Sequence, residues 1–147
     1  MKPAIQPRNI QGDRITIQNV GSETLVYDER SHRAWCLNRS AACIWRLSDG
    51  RSTVAEIAAR AAMELGSPIS SELVLLTLAE LREKELLHAE SVTDLPQDIS
   101  RREMIGKAGL AAAALLPLIA SLTAPPAAAQ SGSVGTNAKR RSPFLRQ

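Results

Sequence analysis

Two cysteines, Cys36 and Cys43, are the residue types here best suited to metal or redox chemistry, and His32 lies close to them in "SHRAWCLNRSAAC". Their spacing of seven matches no usual zinc ligand pattern, so both are read as structural thiols. His32 falls in a turn-like stretch and His88 at a helix end, and both read as solvated surface residues. No pair of carboxylates has a convincing acid/base spacing, no nucleophile stands with a base, and no Gly-rich loop offers a phosphate cradle. The chain therefore reads as a non-enzyme, with no catalytic residue, metal or cofactor. Its four aromatics, Tyr27, Trp35, Trp45 and Phe144, form no stacking platform for bases.

A second stretch has targeting chemistry. Ser100-Arg101-Arg102, with Met104-Ile105 and Lys107 behind it, resembles a twin-arginine export motif. An uncharged run, 108–124, and the small residues Ala127-Ala128-Ala129 follow in the order of an export signal. As a membrane span the run is marginal. Its five Leu and one Ile contribute roughly −2 to −4 kcal/mol on the insertion scale, against Lys107, Gly, Pro, Ser and Thr. Four readings stay open: a weak membrane anchor, a signal read internally by the export machinery, a signal-like segment fused from a precursor or partner gene, or an amphiphilic helix folded back on the domain.

Charge divides the chain at the same place. Residues 1–99 carry 11 Lys/Arg against 14 Asp/Glu, net −3, and residues 100–147 carry 7 against one, net +6. A basic tail behind an acidic domain fits a membrane surface or targeting machinery better than a nucleic-acid fold. "MKPAIQPRNIQGDR" has no apolar run of secretory length, so the first domain is expected in the reducing cytosol without a disulfide, with the tail as its membrane association.

The elements ahead of the tail follow from periodicity. "RITIQNV" (14–20) alternates as a strand. Thr24–Tyr27 and Arg33–Leu37 read as hairpin arms around "DERSH". "SAACIWRLSDG" is a short helix capped by Asn38 or Ser40 and stopped at Asp49-Gly50. Thr53 and Glu56 have capping-box spacing at the head of a second helix. Residues 71–86 form the longest helix, with Val74, Leu78 and Leu81 on its core face. Trp45 reads as a core anchor. The order predicts an α+β, winged helix-turn-helix-like domain: a three-stranded antiparallel sheet, then three helices, then a C-terminal hydrophobic tail. The expected divisions are a domain at 10–90, a linker at 91–100, the signal-like segment at 100–130 and a polar basic tail at 131–147.

Leu37-Asn38, Ala41-Ala42, Ile44-Trp45, Asp49-Gly50, Thr53-Val54 and Glu56-Ile57, with "LAELREKELL" at 78–87, stand in an order and spacing similar to the PqqD family. These are small peptide chaperones of pyrroloquinoline quinone (PQQ) biosynthesis, whose domain is also called the RiPP recognition element. The resemblance covers about residues 12–88. It implies that a precursor's leader peptide adds as a strand beside Arg33, Ala34, Trp35, Cys36 and Leu37, against the last helix. It also implies a radical SAM maturase as partner. On that helix Leu73, Leu76, Thr77 and Glu80 are the candidate contacts. Leu73 and Leu76 lie off the core stripe, as the floor of a peptide groove or as a wide apolar stripe under the N-terminal segment. Glu85 stands where the family often has Gly, and is expected to lengthen the last helix. Thr77 stands where it has a large apolar residue, and is expected to loosen the packing. The alternatives are a winged-helix DNA-binding regulator or an exported or membrane-anchored interaction protein. Against DNA, helix 71–86 sets Arg82 and Lys84 against Glu72, Glu80, Glu83 and Glu85, and its net −2 is repelled by phosphate.

Overall fold

The computed structural model describes residues 5–92, 95, 102 and 115–122. Three strands come first: β1 (Ile15–Val20), β2 (Glu23–Asp28) and β3 (Arg33–Leu37). Gly21, at φ 62°, opens the two-residue turn between β1 and β2, where only glycine takes that angle without strain. Between β2 and β3 the Asp28 carboxylate accepts from the Arg30 N–H at 2.9 Å and the Ser31 hydroxyl at 3.0 Å, closing the turn with a side chain.

Helices α1 (Arg39–Leu47), α2 (Val54–Leu65) and α3 (Ser71–Glu83) follow. Each starts on the residue type that satisfies its free N–H groups: Asn38, Thr53 and Ser70. Thr53 and Glu56 form the expected capping box, with the Thr53 N–H donating to Glu56 at 2.7 Å. Gly50, at φ 79°, is held twice over: by its angle, and by Arg8, whose carbons would lie 3.2 Å from an added Cβ.

Trp45 is the core anchor the sequence implied. It is buried, and its indole N–H donates to the Leu86 carbonyl at 2.9 Å. The Ile10 N–H reaches that same carbonyl at 3.1 Å, and the Asn9 N–H reaches the Ser48 carbonyl at 2.8 Å. The N-terminal segment is thus laced to the ends of α1 and α3. Val26, Leu37, Ile44, Ile57, Val74, Leu78 and Leu81 make one apolar core between sheet and helices.

Three expectations are corrected. The sheet has four strands, not three, in the order β1-β2-β3-β4, and β4 (Ile119–Leu122) pairs antiparallel with β3. It comes from the apolar run read as a signal, anchor or amphiphilic helix. Residues 115–122 do fold back on the domain, but their last four are a strand, because β3 offers an edge of unpaired backbone groups. Among the described residues no helix is long and apolar enough to cross a membrane.

Glu85 does not lengthen α3. It sits at φ 60°, and the Glu85 and Leu86 N–H groups close back on the Arg82 and Leu81 carbonyls, each at 2.9 Å. This is the Schellman ending that glycine normally makes, sealed by the buried Leu81 and Leu86. Thr77, expected to loosen the packing, is fully buried and leaves no polar group unmet. Its buried hydroxyl donates to the Leu73 carbonyl at 2.7 Å.

Candidate functional site

An edge strand exposes a row of N–H and C=O groups that will take any chain of matching shape. The edge of β3 has taken one. Ala34, Trp35, Cys36 and Leu37 stand opposite Leu122, Ser121, Ala120 and Ile119. By the two-residue alternation of strands, Ile119 and Ser121 share the face of Leu37 and Trp35, the face turned to the helices. Ile119 is half-buried there, while Leu118 is 55% exposed.

Asn38 does the most at this edge. As the cap of α1, its Oδ1 accepts from the Ala41 N–H at 3.0 Å. The same oxygen accepts from the Leu118 N–H at 3.1 Å, and Nδ2 donates to the Leu116 carbonyl at 2.8 Å. The Asn38 backbone N–H donates to the Leu118 carbonyl at 3.0 Å. Pro117 lies between the two clasped residues with its ring fully buried. These hydrogen bonds fall on residues 116 and 118, so none of them calls for the N–H that proline lacks.

Past β4 the edge opens into a cleft of about 380 Å³, lined by Arg33, Ala34, Trp35, Glu83, Lys84 and Leu122 among others. An exposed ion pair, Arg33 to Glu85 at 2.7 Å, spans from β3 to the end of α3 at its rim. A larger cleft of about 410 Å³ lies between the β1–β2 turn and helices α1 and α2. The Arg46–Glu64 ion pair stands at its wall, and it exposes no part of the β3 edge.

The candidate residues separate into two sets. Arg33, Ala34 and Trp35 line the open cleft, and Ala34, Trp35, Cys36 and Leu37 carry the ladder to β4. Leu73, Leu76 and Thr77 are buried, the two leucines in the same apolar cluster as Leu95, with Leu116 and Ile119 packed against it. Glu80 is half-buried. Burial of Leu73 and Leu76 is what either earlier reading gives once the edge is occupied. Sequence reasoning did not assign Asn38 to the site: it showed only as a helix cap. Arg102 is exposed, and Arg101, Lys107, Ala127 and Ala129 lie outside the described residues.

Neither thiol is primed for chemistry. Burial, and then the negative charge of Glu64, push Cys43 up to about 11. Burial and a hydrogen bond to Glu23 push Cys36 up as well. At neutral pH both are protonated and weakly nucleophilic. Among the described residues no cluster of His, Cys, Asp and Glu could hold a metal.

Residues 23–87 match the family model described as Coenzyme PQQ synthesis protein D (PqqD). The match opens with β2, takes in β3 and all three helices, and closes at Leu87, so β1 and β4 lie outside it. No curated protein and no solved structure matches the chain.

Proposed function

We propose, from that match and from the strand-accepting edge of β3, that the domain binds an extended peptide by strand addition and presents it to a modifying enzyme. The carrying observation is the ladder itself: residues 34–37 already hold a strand along their full length. Backbone pairing supplies affinity with little regard to sequence, and the apolar wall beneath supplies selectivity. The peptide is the leader of a ribosomally made precursor, and the enzyme is of the radical SAM type, as in PQQ or related peptide-product biosynthesis. The domain itself is non-catalytic. These partners come from the family analogy, which supports them by association.

The test is a titration of the ¹⁵N-labelled full chain with synthetic leaders of radical SAM-modified precursors. Amide shifts should gather at 33–38 and around Glu83 and Lys84. Shifts confined to β1, or to the larger cleft beside Arg46, would overturn the reading.

A further inference from the structure

The strand on β3 is held too specifically to be a generic edge cover. Its backbone is clasped at two points by one side chain, its proline is buried in the domain, and its Ile119 packs against the core. The clasp fixes the register, and the buried proline and the packed Ile119 select for sequence, as a bound peptide's pockets do. Yet the strand belongs to this chain, tethered behind Val92 by the 22 residues of 93–114.

We infer that the β3 edge is built for a strand of the form apolar–Pro–x–aliphatic, that Asn38 sets its register, and that residues 116–122 are a resident occupant which an incoming peptide must displace. The incoming peptide rests on the strand-addition reading above. The resident occupant does not. The chemistry of the template is Leu116-Pro117-Leu118-Ile119. A first apolar residue offers its carbonyl to Asn38 Nδ2. A proline fills the buried socket and asks for no N–H partner. The next residue gives both its N–H and its carbonyl to Asn38, and its own side chain is largely exposed, so this position tolerates any residue that has an N–H, which excludes proline. The fourth packs beside Leu37, where a branched aliphatic chain suits both the strand and the core.

A strand tethered in cis competes at an effective concentration on the order of mM when the tether is short. A peptide arriving from outside must therefore match the template better than the tail does, or reach millimolar levels itself. This gives the edge a threshold. Chains with no proline in the socket, or with a charge at the fourth position, are turned away by an occupant that is always present.

The probe is a fluorescein-labelled synthetic peptide of residues 113–123, carrying two added lysines for solubility, with binding followed by anisotropy on full-length chains. The release variant is Pro117→Asp with Ile119→Asp, which places charges where the tail packs. It should bind the probe at least tenfold more tightly than the wild type. Equal affinity overturns the inference. So does a release variant that loses its far-UV helix signal, because a strand the fold cannot do without is not one a partner exchanges. The lock variant is Ala34→Cys with Leu122→Cys in a Cys36→Ser background, joining residues that face each other across the ladder. Oxidised, it should refuse the probe, and reductant should restore binding; undiminished binding when oxidised also overturns it.

Asn38→Asp, made in the release variant, isolates the clasp from the cap. Aspartate caps helices as well as asparagine does, but it sets an oxygen against the carbonyl that Nδ2 serves. Probe affinity should fall at least tenfold with the thermal midpoint held within a few degrees. Unchanged affinity removes Asn38 from the role. Leaders that bind the release variant on another face would end the presentation reading and leave this one standing. A probe that fails to bind the release variant does the reverse.

Discussion

The two outer strands of the original hairpin sheet meet the same hazard in opposite ways. Among the described residues β1 leaves its outer edge open, and it exposes five of its six residues, the aliphatic Ile17 and Val20 along with Thr16, Gln18 and Asn19. β3 buries Ala34, Trp35 and Leu37 and carries a fourth strand. An edge with both faces exposed gains little by pairing, because a second strand there would find no apolar wall to pack against. An apolar edge beside a helix wall gains both backbone partners and buried area, so it recruits whatever suitable chain is tethered within reach. What marks a strand-accepting edge in this fold is therefore the side chains beneath it and not the outward row of backbone groups, which both strands have.

The largest expected effect is a direct contrast of the two. Leu37, fully buried at the end of β3, and Ile17, 44% exposed on β1, are both large aliphatic residues in strands. Leu37→Ala should cost about 2–5 kcal/mol, the loss of a core side chain plus the cavity it leaves. Ile17→Ala should cost under about 1 kcal/mol, as exposed positions do. Urea unfolding of the two variants reads the difference. If Ile17→Ala costs as much as Leu37→Ala, the β1 edge is covered in solution and the contrast collapses.

A smaller effect lies at the rim of the covered edge. Glu85 holds a left-handed angle that costs a non-glycine residue about 1–2 kcal/mol, and it offers an exposed ion pair to Arg33 in return. Exposed pairs are worth about 0–1 kcal/mol. Glu85→Gly should therefore stabilise the domain by up to about 1 kcal/mol. Arg33→Ala should cost less than Glu85→Gly gains. A destabilised Glu85→Gly would mean that the ion pair outweighs the strain, and would make it part of what holds the open end of the cleft.

Much of the domain was legible because its signals are local. Asn38, Thr53 and Ser70 announce helix starts by chemistry alone, and "ETLVYD" and "RAWCL" carry strand-forming residues into a hairpin. The fourth strand was not legible. "IASL" sits in an Ala- and Leu-rich run that reads equally as an export signal or a membrane segment, and four residues are too few for alternation to show. It is a strand only because β3 pairs with it, which is tertiary context overriding propensity. The same limit hid half of Asn38: capping is local and visible, but a clasp on a residue 80 positions away is not. Glu85 failed for the opposite reason. Glutamate favours helix, and the packing of Leu81 under Leu86 overrode it.

Acid gives the smallest expected effect, and it separates the turns from both edges. Asp28, Asp49 and Glu56 all have carboxyls held below their ordinary values. Burial alone would raise Asp28, but the Arg30 N–H and the Ser31 hydroxyl outweigh it. The Ser52 and Arg51 N–H groups lower Asp49, and the Thr53 N–H lowers Glu56. A carboxyl more acidic folded than unfolded stabilises the fold fully above the ordinary range near pH 4, and that contribution is lost as the pH falls through it toward the folded value. Stability should thus be level above about pH 5 and decline below about pH 4. All three groups sit in the joins, at the β2–β3 turn and between α1 and α2, and none serves the ladder of β3 with β4. Asp49→Asn should flatten the acid decline, by less than about 1 kcal/mol because the group is partly exposed and screened. Urea midpoints at pH 6, 4.5 and 3 for wild type and Asp49→Asn measure it. An identical decline in both would shift the acid-sensitive contacts away from the α1–α2 join, leaving Asp28 as the group to replace next.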